Sequence, residues 1–149
     1  MNSLKPVALA AILLAGCATT SVPTPALNAQ GSVATLADAG PRPASTAIPI
    51  DAFKRQLKDP EGVRVRGVQA PGFLSVESSI FSRPFYGWAI CFDMNTRNGI
   101  GGYGGYRKQL IVVRNGELVA AESEDPGRKT QAAWLLDLCE QAKVAAAKP

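Results

Sequence analysis

Three cysteines and no histidine limit the chemistry open to this chain of 149 residues. There is no imidazole to act as general base, to complete a Ser-His-Asp triad or to ligate zinc or haem. The cysteines stand at positions 17, 91 and 139, without a C-x-x-C spacing. No redox motif and no metal-ligand set follows from them, and no cofactor is expected. The densest run of contact-forming residues is Asn95-Thr96-Arg97-Asn98-Gly99-Ile100-Gly101-Gly102-Tyr103-Gly104-Gly105-Tyr106-Arg107. Gly99-x-Gly101-x-x-Gly104 matches a dinucleotide fingerprint in form, but that motif must open a helix, and here a strand follows. No Gly-Lys-Ser/Thr completes a Walker loop, and the other parts of a kinase are absent. What remains is a contact surface. Glycine lets another backbone or a ligand approach closely, tyrosine rings stack, and Arg97, Arg107 and Lys108 attract anions. Asn95, Arg97, Asn98, Tyr103, Tyr106 and Arg107 are the candidate binding residues, for an anionic or sugar-bearing partner. The competing reading is a tight bulged connection whose tyrosines pack on the domain.

Other groups carry less. Asp93, Glu77, Glu122, Glu124 and Asp125 could supply a glycosidase-like carboxylate pair. Acids just before Pro126 are more simply helix N-terminal charges. Arg64 and Arg66 alternate with Val63 and Val65, which reads as a solvated strand face; Arg83 is the third cation of that basic set. Trp88 and Trp134 fall in apolar periodic segments and read as core. A net charge of +4 is too mild to argue for nucleic acid.

These groups need elements to hold them, and an address. Met1 to Lys5 carries the free amine and a lysine, and Pro6 to Ala15 is almost wholly apolar. That is the n-region and h-region of a signal peptide, too short to span a bilayer, which needs ~20 apolar residues. It ends in Leu14-Ala15-Gly16-Cys17, which resembles the lipobox of bacterial lipoproteins. The resemblance implies removal of residues 1–16, a diacylglyceryl thioether on Cys17 and acylation, typically palmitate, of its amine. Two or three acyl chains anchor stably. Ala18 is not the aspartate of inner-membrane retention. The expected site is therefore the periplasmic face of the outer membrane, or the outer face of the inner membrane if sorting differs.

Residues 17–48 then read as the lipidated cysteine and a disordered tether. Ala, Thr, Ser, Pro and Gly dominate Ala18 to Ile48, only Asp38 and Arg42 are charged, and every aromatic residue lies from Phe53 onward. Without an aromatic or other large apolar anchor, the segment is not expected to offset the entropy of ordering.

Residues 49–147 form one small domain. Ile50, Phe53 and Leu57 share a helical stripe that Pro60 ends. Val63–Arg66, Phe73–Glu77 and Phe85–Asp93 alternate as strands. Tyr86, Trp88, Ile90 and Phe92 lie on one face of the third, Phe85, Ala89 and Cys91 on the other. Lys108–Arg114 and Glu117–Ala121 flank Asn115-Gly116, a strong hairpin signal. Arg128–Ala147 is helical, with Leu135, Leu138, Cys139 and Ala142 on one face and Asp125-Pro126 at its start. The fold expected is α+β: an N-terminal helix, four to five mostly antiparallel strands, and a C-terminal helix packed on the sheet. With Cys17 lipidated, Cys91 and Cys139 remain for one disulfide in an oxidising compartment.

Leu57-Lys58-Asp59-Pro60-Glu61, with Cys91-x-x-x-Asn95-x-x-Asn98-x-x-Gly101-Gly102-Tyr103-x-Gly105-Tyr106, resembles a family of small uncharacterised exported bacterial proteins. Phe92 departs from the glycine expected after the cysteine. The resemblance covers roughly residues 53–115 and implies a fold but no chemistry. The expected function is a non-enzymatic, lipid-anchored envelope protein with a disulfide-stapled binding or structural domain. It touches the membrane through its lipid and an envelope protein or peptidoglycan through the glycine–tyrosine loop. An inhibitor of a cell-wall hydrolase, an accessory subunit of an envelope assembly, and a carboxylate-dependent wall enzyme are the alternatives.

Overall fold

The computed structural model describes residues 25–77 and 79–148. Cys17 and the signal-like segment lie outside them. Strand β3 (Phe85–Asn95) is the spine of a sheet in which every pairing is antiparallel. Its alternation divides two cores: Phe85, Ala89 and Cys91 on one face, Ile90, Phe92 and Met94 on the other. Strand β4 (Arg107–Arg114) repeats the division with Leu110 and Val112 against Ile111 and Val113. Asn115 and Gly116, at φ 51° and 82°, turn β4 into β5 (Glu117–Ser123). Such positive angles let the turn twist with its strands. On the other edge, β1 (Arg64–Arg66) and β2 (Gly72–Val76) pair with successive halves of β3.

Helix α3 (Lys129–Ala146) covers the first face, burying Leu135, Leu138, Cys139 and Ala142 on Leu74, Val76, Ala89, Leu110 and Val112. Cys91 and Cys139 form the expected disulfide, with Cα atoms 5.8 Å apart. Closing a loop of this length contributes ~4 kcal/mol in the chain-entropy account. A Cβ on Gly72 would strike the Ala142 carbonyl, so glycine there sets how closely helix and sheet approach. Helix α3 has Arg128 as its N-cap, not Asp125. Asp125 instead closes the preceding turn, accepting the Gly127 N–H at 2.9 Å.

Two helices lie before β1 in the chain: a four-residue α1 (Leu36–Ala39) and α2 (Ala47–Lys54). Helix α2 lays Ile50 and Phe53 on the second face, with the Phe53 ring edge-on to Phe92 at 6.2 Å. It starts and ends earlier than the stripe predicts. Pro49 fits in a first helical turn, where its missing N–H is not needed. The chain then tightens, the Gln56 and Leu57 N–H groups donating to Phe53 and Lys54, so Leu57 packs on this core from outside the helix.

The expected disorder of residues 18–48 does not hold from residue 25 onward. Ala26, Ala34 and Ala39 are buried. The Ala26 carbonyl accepts the Ser75 hydroxyl, the Ala39 carbonyl accepts the Asn115 N–H at 3.0 Å, and the Gly40 carbonyl accepts the Trp88 indole N–H at 2.9 Å. Arg42 lies over the Trp88 ring and donates to the Ala146 carbonyl at the end of α3. At α1, the Thr35 N–H and hydroxyl both donate to Asp38, holding its carboxyl below the usual range. Alanine lets this arm lie close, so backbone carbonyls meet donors of the domain. Hydrogen bonding supplies what large apolar side chains would otherwise have supplied. The folded unit therefore includes residues 25–48. Among the described residues, no helix is long and apolar enough to cross a membrane.

Candidate functional site

Beyond Cys91 and Leu110, the sheet face that α3 covers gives way to polar residues. Register sets Arg64 beside Asn95, and Arg66, Asp93 and Lys108 in one row. Asp93 lies 2.6 Å from the Lys108 ammonium and 3.8 Å from the Arg66 guanidinium. The glycine run joins β3 to β4 at this end and returns both tyrosines to the arginines of β1. The Arg64 guanidinium lies 4.1 Å over the Tyr103 ring, and that of Arg66 lies 3.7 Å over Tyr106. Arg97 approaches Tyr103 at 5.9 Å and donates its Nε–H to the hydroxyl at 3.4 Å. That hydrogen bond holds the Tyr103 hydroxyl below its ordinary range and raises Arg97 in turn.

The outer part of the loop is a small hairpin closed by an Arg97–Tyr103 bridge. Its turn depends on Asn98, whose side-chain oxygen accepts the Ile100 and Gly102 N–H groups at 3.2 and 2.8 Å. Gly101 takes φ 84°, a conformation that side chains disfavour. Ile100 projects from the tip, 93% exposed. At the base, the Asp59 carboxylate accepts the Gly62 N–H at 3.0 Å and lies 3.8 Å from Arg97. The Lys58-Asp59-Pro60 segment and the cysteine–asparagine–glycine–tyrosine segment thus meet in space. Phe92 fills the second core, where a glycine would leave a hole.

The structure separates the six sequence candidates. Tyr103, Tyr106, Arg97 and Arg107 lie at the surface, with Tyr106 38% exposed and Tyr103 half-buried. Asn98 holds the turn. Asn95 is only 8% exposed, and its enclosed side-chain oxygen has no hydrogen-bond partner among the described residues. Arg64 and Arg66, expected to be a solvated strand face, complete the surface by stacking. The alternation of Arg-x-Arg marked their shared face, but nothing local paired that strand with the tyrosines. Trp88 and Trp134 are half-buried at the margins, beneath the N-terminal arm and beside Phe81 respectively.

A guanidinium lying flat on a ring keeps its in-plane N–H groups free while losing rotational freedom. Each stack contributes ~0.5–1 kcal/mol at an exposed site. Among the described residues, no carboxylate lies within 4 Å of Arg64. The surface is therefore a set of oriented cations and amphipathic rings, suited to carboxylate or phosphate. Of the acids, Asp93 is held between two cations, and Glu122 is pushed above the usual carboxylate range by burial. Among the described residues, no group of three or more Cys, Asp or Glu is placed to hold a metal ion. No protein-family model, curated protein or solved structure matches the chain.

Proposed function

We propose that this chain is a lipid-anchored cell-envelope protein whose domain is a non-catalytic binding module. Its partner is an acidic envelope component, peptidoglycan or another envelope protein, held against the arginine–tyrosine surface. The observation that carries this reading is the pair of stacks, Arg64 on Tyr103 and Arg66 on Tyr106. Acylation of Cys17 supports a place on the periplasmic face of the outer membrane. Because packing begins by residue 25, the chain from Cys17 to the domain spans at most roughly 30 Å at full extension. The module would work close to the lipid surface rather than at the end of a long leash.

Co-sedimentation of the purified chain with isolated peptidoglycan sacculi tests the module. Salt-sensitive binding that Arg64→Ala with Arg66→Ala abolishes, while the chain still unfolds cooperatively with a melting temperature lowered by no more than roughly 10 °C, is the expected result. Capture of a protein by the same surface in intact cells would favour the second partner class. Binding indifferent to both substitutions would refute the reading. The exposed Ile100 tip favours one alternative, in which the hairpin enters the cleft of a wall hydrolase as an inhibitor. Inhibition lost in Ile100→Ser but kept in the arginine variant would select it.

A further inference from the structure

The glycine loop crosses the end of the sheet, and on the opposite face it borders a cavity of ≈ 260 Å³. Strand alternation sends Arg107 and Gln109 to that face and Tyr106 and Lys108 to the stacked one. The cavity is lined by Arg107, Gln109, Ser123 and Glu124, with Gly104 and Gly105.

Its polar groups are set apart in an unusual way. Arg107 and Glu124 carry opposite charges into one cavity, yet they do not pair with each other. Among the described residues, neither has an ionic partner within 4 Å. Glu124 is positioned by the chain: one carboxylate oxygen accepts the Lys108 N–H at 2.9 Å, and its own N–H donates to the Lys108 carbonyl. Gln109 is 3% exposed. Its side-chain oxygen accepts the Ser123 hydroxyl, which leaves its side-chain N–H groups to face the cavity.

We infer that this cavity binds a zwitterion: a free amino acid or a short peptide that carries both its ammonium and its carboxylate. The ligand carboxylate takes donors from Arg107, in the two-pronged manner guanidinium allows, and from Gln109. Its ammonium meets Glu124. A singly charged ligand would satisfy one pole and face the other unpaired. The volume is below that of sites for drug-sized ligands and admits a dipeptide. The inference does not depend on the lipid anchor or on the stacked arginines, which lie on the other face.

The test is an NMR titration of the ¹⁵N-labelled purified chain with diglycine, N-acetyl-diglycine and diglycinamide. Diglycine should move the Gly104 and Gly105 amides and saturate, and each blocked form should bind about tenfold more weakly or worse. Arg107→Gln should make the chain indifferent to blocking the carboxylate, and Glu124→Gln to blocking the amine. Absence of saturation, equal binding of all three ligands, or shifts centred on Arg64 and Tyr106 would overturn the inference. None of those results bears on sacculus binding by the stacked surface.

Discussion

Two turns in this molecule share one backbone device and differ in use. In Asn28–Ser32 and in Asn98–Gly102, the asparagine side chain accepts N–H groups two and four residues on. A glycine three residues on takes φ 75° in the first and 84° in the second. In both, the asparagine N–H donates to the carbonyl four residues later, at 2.8 and 2.7 Å. The surroundings then diverge. Ala26 and Ala34 lie just outside the first turn and are buried, so that hairpin is drawn onto the domain. Arg97 and Tyr103 bracket the second, which stays outside and presents Ile100. The turn sets the shape, and the flanking side chains decide between scaffold and display.

Overfilling the buried N-terminal arm has the largest expected effect. Ala39→Leu should lower stability by about 2–3 kcal/mol, seen as a shifted denaturant midpoint, because the site is fully buried. An unchanged midpoint would mean that the N-terminal arm is not part of the fold. Next in size, Asn28→Ala and Asn98→Ala should each cost about 1 kcal/mol in the same measurement. A cost for one and none for the other would show that the two turns are alike in geometry only. Glu122→Gln has the smallest expected effect. Burial raises the folded pKa of Glu122 above its unfolded value, so the native state binds the extra proton. Its stability contribution is therefore best at acid pH and declines as pH rises through the folded pKa. The glutamine variant should melt slightly higher at neutral pH, by less than about 1 kcal/mol, with the gain vanishing in acid. A gain that persists in acid would assign the effect to something other than ionisation.

Much of the fold was legible because its signals are local. Alternation in Phe85–Asp93 sorted the two cores, Asn115-Gly116 located the hairpin, and two cysteines on facing core positions gave the disulfide. The arm at residues 25–48 was not legible. Its order comes from carbonyls meeting distant donors such as Trp88 and Asn115, which composition does not record. The candidate site was half legible. Tyr103, Tyr106 and Arg97 announced themselves by type, whereas Arg64 and Arg66 entered through strand register. Asn95 and Asn98 proved to be a buried group and a turn support, since sequence marks an asparagine's chemistry but not its surroundings.

A photo-crosslinking residue placed at Ile100 or, in a separate variant, at Gln30 tests the central division most directly in living cells. A crosslinked envelope partner is expected from position 100 that disappears with Arg64→Ala and Arg66→Ala, and none from position 30. Equal capture from both turns, or capture from position 100 that survives loss of both arginines, would contradict it.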